Sequence, residues 1–94
     1  MRFVVAADHP SLPGHFPGRP IVPGVVLLDE VAALVAPEGW RAAGFPSVRF
    51  LRPVRPGDVV EVGFAESSPG AGRFSGSVGG DLVLEGRIDL VRRP

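Results

Sequence analysis

Hydrophobic residues recur at every second position along the C-terminal half of the chain. They form four groups, which are Val48 and Phe50; Val60, Val62 and Phe64; Phe74 and Val78; and Leu82, Leu84, Ile88 and Leu90. A period of two is typical of strands with one buried face, and turn-rich segments at 53–57, 67–72 and 79–80 separate the groups. Connections this short predict four antiparallel strands in a meander, and Gly79-Gly80 predicts a two-residue hairpin.

The N-terminal half follows a different pattern. Residues 2–7 have the aromatic and β-branched composition of a strand. Residues 10–24 then contain five prolines and three glycines, which excludes regular structure and predicts an ordered loop, since the segment also carries apolar side chains.

A run of apolar residues follows this loop. We predict a helix that begins near Pro23-Gly24, where proline is tolerated in the first turn, and ends by Pro37 and Gly39. A strand is the competing interpretation, but the run exceeds the usual strand length. Apolar residues occupy every side of the helical wheel, so we expect burial on every side. The combination predicts a single α+β domain over residues 1–94, with a curved antiparallel sheet wrapped around the helix.

Composition narrows the classes of function. With 94 residues and 45% hydrophobic residues, the chain forms a marginal core by itself, which favours association with another subunit. A formal charge of zero gives no attraction to nucleic acid or to anionic membranes. The absence of cysteine excludes disulfides and thiolate chemistry. No apolar run approaches a membrane span or a signal peptide, so we expect a soluble, unprocessed, cytoplasmic protein.

Two histidines are candidates for chemistry. His15 lies in PGHFPG, where the neighbouring prolines restrict the backbone on both sides. A fixed imidazole suits a general base, although a loop residue that caps a turn would have the same surroundings. His9, beside a proline at a strand end, is the weaker candidate.

The helix supplies two further candidates. Asp29 lies in its second turn among apolar neighbours, where desolvation would favour the protonated carboxyl that a general acid needs. Alternatively, Asp29 or Glu30 reaches solvent or pairs with an arginine across an interface. Gly24 leaves the first-turn N–H groups approachable, so a thioester carbonyl could bind there as in an oxyanion hole. A glycine at this place is also common in plain turns.

Two segments resemble one enzyme family. Residues 14–24, GHFPGRPIVPG, are similar to the GHFPGRPxxPG signature of the 3-hydroxyacyl-[acyl-carrier-protein] dehydratases, the FabA/FabZ-like family. Residues 50–58, FLRPVRPGD, resemble the second block of that family. The resemblance implies a hotdog fold, usually dimeric, in which the histidine of one subunit and the acid of the other form each site.

The resemblance also implies roles for individual residues. His15 would be the base, Gly24 the donor to the thioester carbonyl and Asp29 the acid, with Phe16 and Pro23 at the substrate. No metal or cofactor is implied. The depth of the acyl tunnel would depend on the packing of Phe16, Trp40, Phe50 and Phe64.

The chain departs from the family pattern in three ways. It is short, and Ala33 replaces a glutamine that is common four residues after the acid. Asp29 is typical of the branch of the family that also isomerises the double bond, whereas the loop with Arg19 is typical of the non-isomerising branch. The short length resembles small ApeI-like dehydratases of polyketide and aryl-polyene synthesis.

The implied partners are an acyl carrier protein and a second hotdog subunit, as a homodimer or a heterodimer. Carrier proteins are acidic, and Arg41, Arg49, Arg52 and Arg55 lie in a segment without acids. Arg52 and Arg55 are the candidate docking residues, although solvated arginines on strand edges would give the same pattern. Two other functions stay open: a non-catalytic hotdog partner or acyl-binding protein, and an acyl thioesterase.

Overall fold

The computed structural model describes residues 1–6 and 21–94. They form β1 (Arg2–Val4), α1 (Gly24–Val35), β2 (Trp40–Phe50), β3 (Val59–Ser68), β4 (Ala71–Val78) and β5 (Asp81–Arg92). All strand pairs are antiparallel, in one sheet of order β1-β3-β4-β5-β2. The predicted α+β class is confirmed, with a core between α1 and one face of the sheet.

The predicted hairpin at Gly79-Gly80 is confirmed. Val78 pairs with Asp81, and the two glycines between them have φ angles of 59° and 87°. Two consecutive positive φ values define the tight turn whose twist matches the flanking strands, and glycine adopts them without steric cost. Strands β3, β4 and β5 therefore form a meander as expected.

The prediction that β2 belongs to the same meander is wrong. β2 pairs with β5, whereas β3 pairs with β1 and β4. Residues 51–58, which connect β2 to β3, cross the sheet from β5 to β1. At the start of this segment the Leu51 N–H donates to the carbonyl of Val83 in β5, and near its end the Gly57 N–H donates to the carbonyl of Val5, just after β1. Periodicity identifies a strand and its buried face but does not specify its neighbours, which is why the local pattern missed this crossover.

β2 is also longer than the alternation indicated. It begins at Trp40, and its pairing with β5 is irregular between Ala42 and Gly44 and again between Gly44 and Ser47. Residues 40–44 alternate in burial, but three of them are alanine or glycine, and the alternation breaks at Gly44 and Phe45, so the sequence alone shows no clear hydrophobic period there. Pro46, which has no N–H, is tolerated because β2 is the terminal strand in the order of the described sheet.

The helix has the predicted limits. The N–H groups of Val26 and Leu27 donate to the Pro23 carbonyl at 3.0 and 3.3 Å, which starts the helix, and Pro37 lies two residues beyond its end. Its buried residues are Val26, Leu27, Val31 and Val35, which pack in one cluster with apolar residues of the sheet. In the described ranges no helix has the length and hydropathy needed to cross a membrane.

The prediction that α1 is buried on every side is wrong for the single chain. Val25, Asp29 and Ala33, spaced four residues apart, are exposed, and Val25 is 66% exposed. Residues at this spacing share one face of a helix. The sheet covers only the opposite face, so an apolar composition all round the helix does not by itself bring burial all round. We call Val25, Asp29 and Ala33 the outward face of α1.

Candidate functional site

An apolar pocket lies at the N-terminal end of α1. It has a volume of about 380 Å³ and is lined by residues 21–24, Leu27 and residues 50–54. The Val22 N–H donates to the Val54 carbonyl at 2.8 Å, and both side chains are buried. This bond holds the residues before the helix beside the segment that follows β2. The two walls of the pocket are therefore joined by a backbone hydrogen bond.

The first turn of α1 presents backbone donors at this pocket. The N–H groups of Gly24 and Val25 precede the first helical hydrogen bond, which Val26 makes to Pro23. No acidic residue lies in this turn, and within the described residues no side chain caps it. The positive end of the helix dipole is therefore not offset locally, and the turn favours a ligand oxygen that carries negative charge.

Gly24 also provides space at the pocket. An ideal Cβ at Gly24 would lie 2.7 Å from Cζ of Phe50, closer than real Cβ atoms come to such neighbours. The ring of Phe50 therefore occupies the volume that a side chain at position 24 would need. Sequence reasoning predicted that Gly24 acts through its N–H group. It missed the contact with Phe50, because no periodicity links the two residues.

Asp29 lies on the outward face of α1 and does not line the pocket. It follows Gly24 by five residues, which corresponds to a rise of about 7.5 Å and a rotation of roughly 140° about the helix axis. The expectation that the fold would desolvate Asp29 is wrong for the single chain, where it is exposed, whereas Glu30 is half-buried. The only ion pair among residues 1–6 and 21–94 is Arg2–Glu61, at 3.0 Å.

One chain thus separates two of the predicted site residues. Gly24 borders the pocket, while Asp29 is directed away from it. Pro23 lies in the pocket wall, where sequence reasoning placed a substrate contact. His15, Phe16, His9 and Arg19 lie outside the described residues, so their roles stay predictions.

The arginine segment is split by the fold. Arg52 is exposed and lines the pocket. Arg55 is exposed in a turn in which the Asp58 N–H donates to the Arg55 carbonyl at 3.1 Å and the Arg55 N–H to Asp58 Oδ2 at 2.9 Å. Arg41 pairs with Val91 at the other end of β2. The positive charge near the pocket therefore comes from Arg52 in its lining and Arg55 in the following turn, while Arg49 lies opposite Glu85 in the pairing of β2 with β5.

Comparison with known proteins identifies relatives over most of the chain. Residues 1–84 match a family model described as ApeI-like, ApeI dehydratase. The 3-hydroxyacyl-[acyl-carrier-protein] dehydratase FabZ of Thermomicrobium roseum is 38% identical, over 89% of this chain and 66% of the relative. The enzyme of the same name from Roseiflexus sp. is 42% identical, over 90% of this chain and 69% of the relative. The chain thus spans about two thirds of the length of these relatives.

Solved structures share the fold. The dehydratase heterocomplex ApeI:P from Xenorhabdus doucetiae aligns with a TM-score of 0.79 at 24% identity, over 97% of this chain and 84% of that one. An uncharacterized protein from Erwinia carotovora subsp. atroseptica aligns with a TM-score of 0.78 at 27% identity, over 97% of this chain and 80% of that one. The predicted hotdog arrangement of a curved antiparallel sheet and one helix is confirmed.

Proposed function

This chain belongs to the ApeI-like dehydratase family, and we propose that it removes water from 3-hydroxyacyl thioesters on an acyl carrier protein to give trans-2-enoyl thioesters. The observation that carries the proposal is the pocket at the start of α1. It combines backbone N–H groups that make no hydrogen bond within the helix with apolar walls, in a chain that matches a dehydratase family over residues 1–84. A thioester carbonyl and the acyl chain attached to it need those two surroundings side by side.

The proposed mechanism uses three residues. The Gly24 N–H polarises the thioester carbonyl, which stabilises the negative charge that develops on its oxygen. His15 removes the α-proton, and Asp29, as the protonated acid or through a water molecule, donates a proton to the departing 3-hydroxyl. The C–H and C–O bonds break, a C2–C3 double bond forms, and one water molecule leaves.

We further propose that two subunits share each site. Gly24 and Asp29 of one chain are on different sides of α1, so a second chain would have to supply the acid to the first chain's pocket. The outward face that carries Asp29 includes the exposed apolar residue Val25. Leu51, the residue that follows β2, is exposed as well. A homodimer, or a heterodimer with a related hotdog subunit, would bury such surfaces.

Carrier docking and location complete the proposal. Arg52 at the pocket and Arg55 in the adjoining turn provide positive charge for an acidic acyl carrier protein. A carrier that docks there would bring its thioester to Gly24. We also propose a cytoplasmic location, which the use of a carrier-bound substrate would support.

A mass-spectrometric assay tests the proposal. A 3-hydroxyacyl carrier protein is incubated with the purified protein, and the acyl carrier is examined for the loss of one water molecule, about 18 Da. We expect the loss with wild type, and a rate lower by roughly 10²–10⁴-fold with His15→Ala, because a general base contributes that much. No loss with wild type across several chain lengths would overturn the activity of the chain alone.

One observation favours a second candidate, a non-catalytic hotdog partner. Ala33 lies on the outward face one turn after Asp29 and gives that carboxylate no polar support. This candidate predicts no turnover by the chain alone and a stable heterodimer with a larger dehydratase. Co-expression with such a subunit, followed by the same assay, separates the two functions.

A further inference from the structure

A half-exposed aromatic ring lies over the backbone at the start of α1. Phe50 is 52% exposed, yet the three atoms nearest to an ideal Cβ on Gly24 all belong to its ring, at 2.7, 3.2 and 3.2 Å. The ring therefore occupies the place of the missing side chain. It lies against the same turn whose N–H groups face the carbonyl in the proposed function.

The sheet fixes the position of this ring. Phe50 is the last residue of β2 and pairs with Leu84 of β5. The next residue, Leu51, donates its N–H to the Val83 carbonyl at 2.8 Å. Because the backbone is held at both residues, only the side-chain torsions of Phe50 remain free. The fold thus fixes the backbone position from which the ring reaches Gly24.

The same ring forms part of the pocket wall. It lines the 380 Å³ pocket together with Leu27 and Val54. Leu27 and Val54 are buried and belong to the core, whereas half of the Phe50 surface is accessible. Among these three side chains, Phe50 is therefore the one with surface free to contact an acyl chain.

We propose that Phe50 is a specificity-determining residue, whose ring limits the width of the acyl chain beside the reacting carbons. This inference rests on the proposed function, because it takes the Gly24 N–H as the carbonyl donor. A carbonyl bound there places the first carbons of the acyl chain against the ring. A methyl branch at C4 would compete with the ring for space, whereas a straight chain would not.

Two substrates and three variants test this inference. The kcat/KM values of 3-hydroxypentanoyl and 3-hydroxy-4-methylpentanoyl pantetheine thioesters are measured for wild type, Phe50→Ala, Phe50→Trp and the control Leu82→Ala. Leu82 is also an exposed apolar residue, but it lies outside this pocket. We expect Phe50→Ala to raise the ratio of kcat/KM for the branched substrate to kcat/KM for the straight one roughly tenfold or more. One methylene in an apolar pocket changes the discrimination between substrates by about 10–200-fold. Phe50→Trp lowers the ratio and Leu82→Ala leaves it unchanged.

Binding of the saturated pentanoyl and 4-methylpentanoyl thioesters separates the two possible failures. If wild type dehydrates and the ratio is the same in every variant, the role of Phe50 is overturned and the proposed function stands. If wild type does not dehydrate but the ratio of dissociation constants follows the size of residue 50, the proposed function is overturned and the selector role stands. If wild type does not dehydrate and the ratio of dissociation constants is the same in every variant, both the proposed function and the role of Phe50 are overturned. Thermal unfolding checks each variant, and Phe50→Leu replaces Phe50→Ala if the latter does not fold.

Discussion

Both faces of α1 carry apolar residues, but the two faces have opposite environments. On one face Val26, Leu27, Val31 and Val35 pack against the sheet, and Val31 is completely buried. On the outward face Val25 is 66% exposed and adjoins the exposed carboxylate Asp29. The inner face is buried within one chain. The outward face, which contains apolar residues and one acid, is not covered by the described residues. The comparison indicates that the fold of one chain completes the core but only part of the proposed site.

The largest expected effect concerns the acid on the outward face. Asp29→Asn should lower the dehydration rate by roughly 10²–10⁴-fold, because it removes the proton donor, while it leaves stability nearly unchanged at an exposed position. The adjacent Glu30→Gln is the matched control and should retain wild-type activity. The water-loss assay and thermal unfolding measure the two quantities. Similar activity losses in both variants would contradict the assignment of Asp29.

Mixing of inactive variants tests whether Asp29 serves a second chain. When His15→Ala and Asp29→Asn proteins are unfolded and refolded together in equal amounts, half of the dimers are mixed. Each mixed dimer has one site with both residues, so activity should return to roughly a quarter of wild type. No recovery would place both residues in the site of the same chain.

The next effect concerns stability and separates the two faces directly. Val31→Ala should lower the free energy of unfolding by about 2 kcal/mol, which corresponds to a fall in Tm of about 10 °C, because it opens a cavity in the core. This loss should not depend on protein concentration. Val25→Ala should have little effect in dilute solution and a larger one as subunits associate. Equal, concentration-independent losses would show that both faces are packed within one chain.

The smallest change is expected in KM, when charges just beyond the C-terminal end of β2 are reversed. Reversal of charge in Arg52→Glu with Arg55→Glu should raise KM for carrier-bound substrate roughly tenfold, because an acidic carrier is repelled near the pocket. KM for a pantetheine thioester should stay near that of wild type. Arg41→Glu, at the far end of the strand, is the control. An equal rise in KM for both substrates would exclude a docking role for Arg52 and Arg55.

Side-chain patterns and one motif were sufficient to predict most of the secondary structure and the family. Alternation located β3, β4 and β5, and prolines located both ends of α1, because these signals depend on side-chain periodicity and backbone restriction over a few residues. The hairpin at Gly79-Gly80 followed from the need for positive φ at both positions. The motif in residues 14–24 was specific enough to indicate the dehydratase family, and the matched family model confirms it.

The neighbours of each strand and the covered face of α1 depend on long-range packing, which the sequence patterns do not specify. The pairing of β2 with β5, the contact of Phe50 with Gly24 and the exposure of Asp29 all join or separate residues that are remote in sequence. A hydrophobic pattern gives the tendency of a side chain to be buried, but burial needs a surface to pack against. In this chain the sheet supplies that surface on the inner side of the helix, so the outward face, with its acid, is exposed in the single chain.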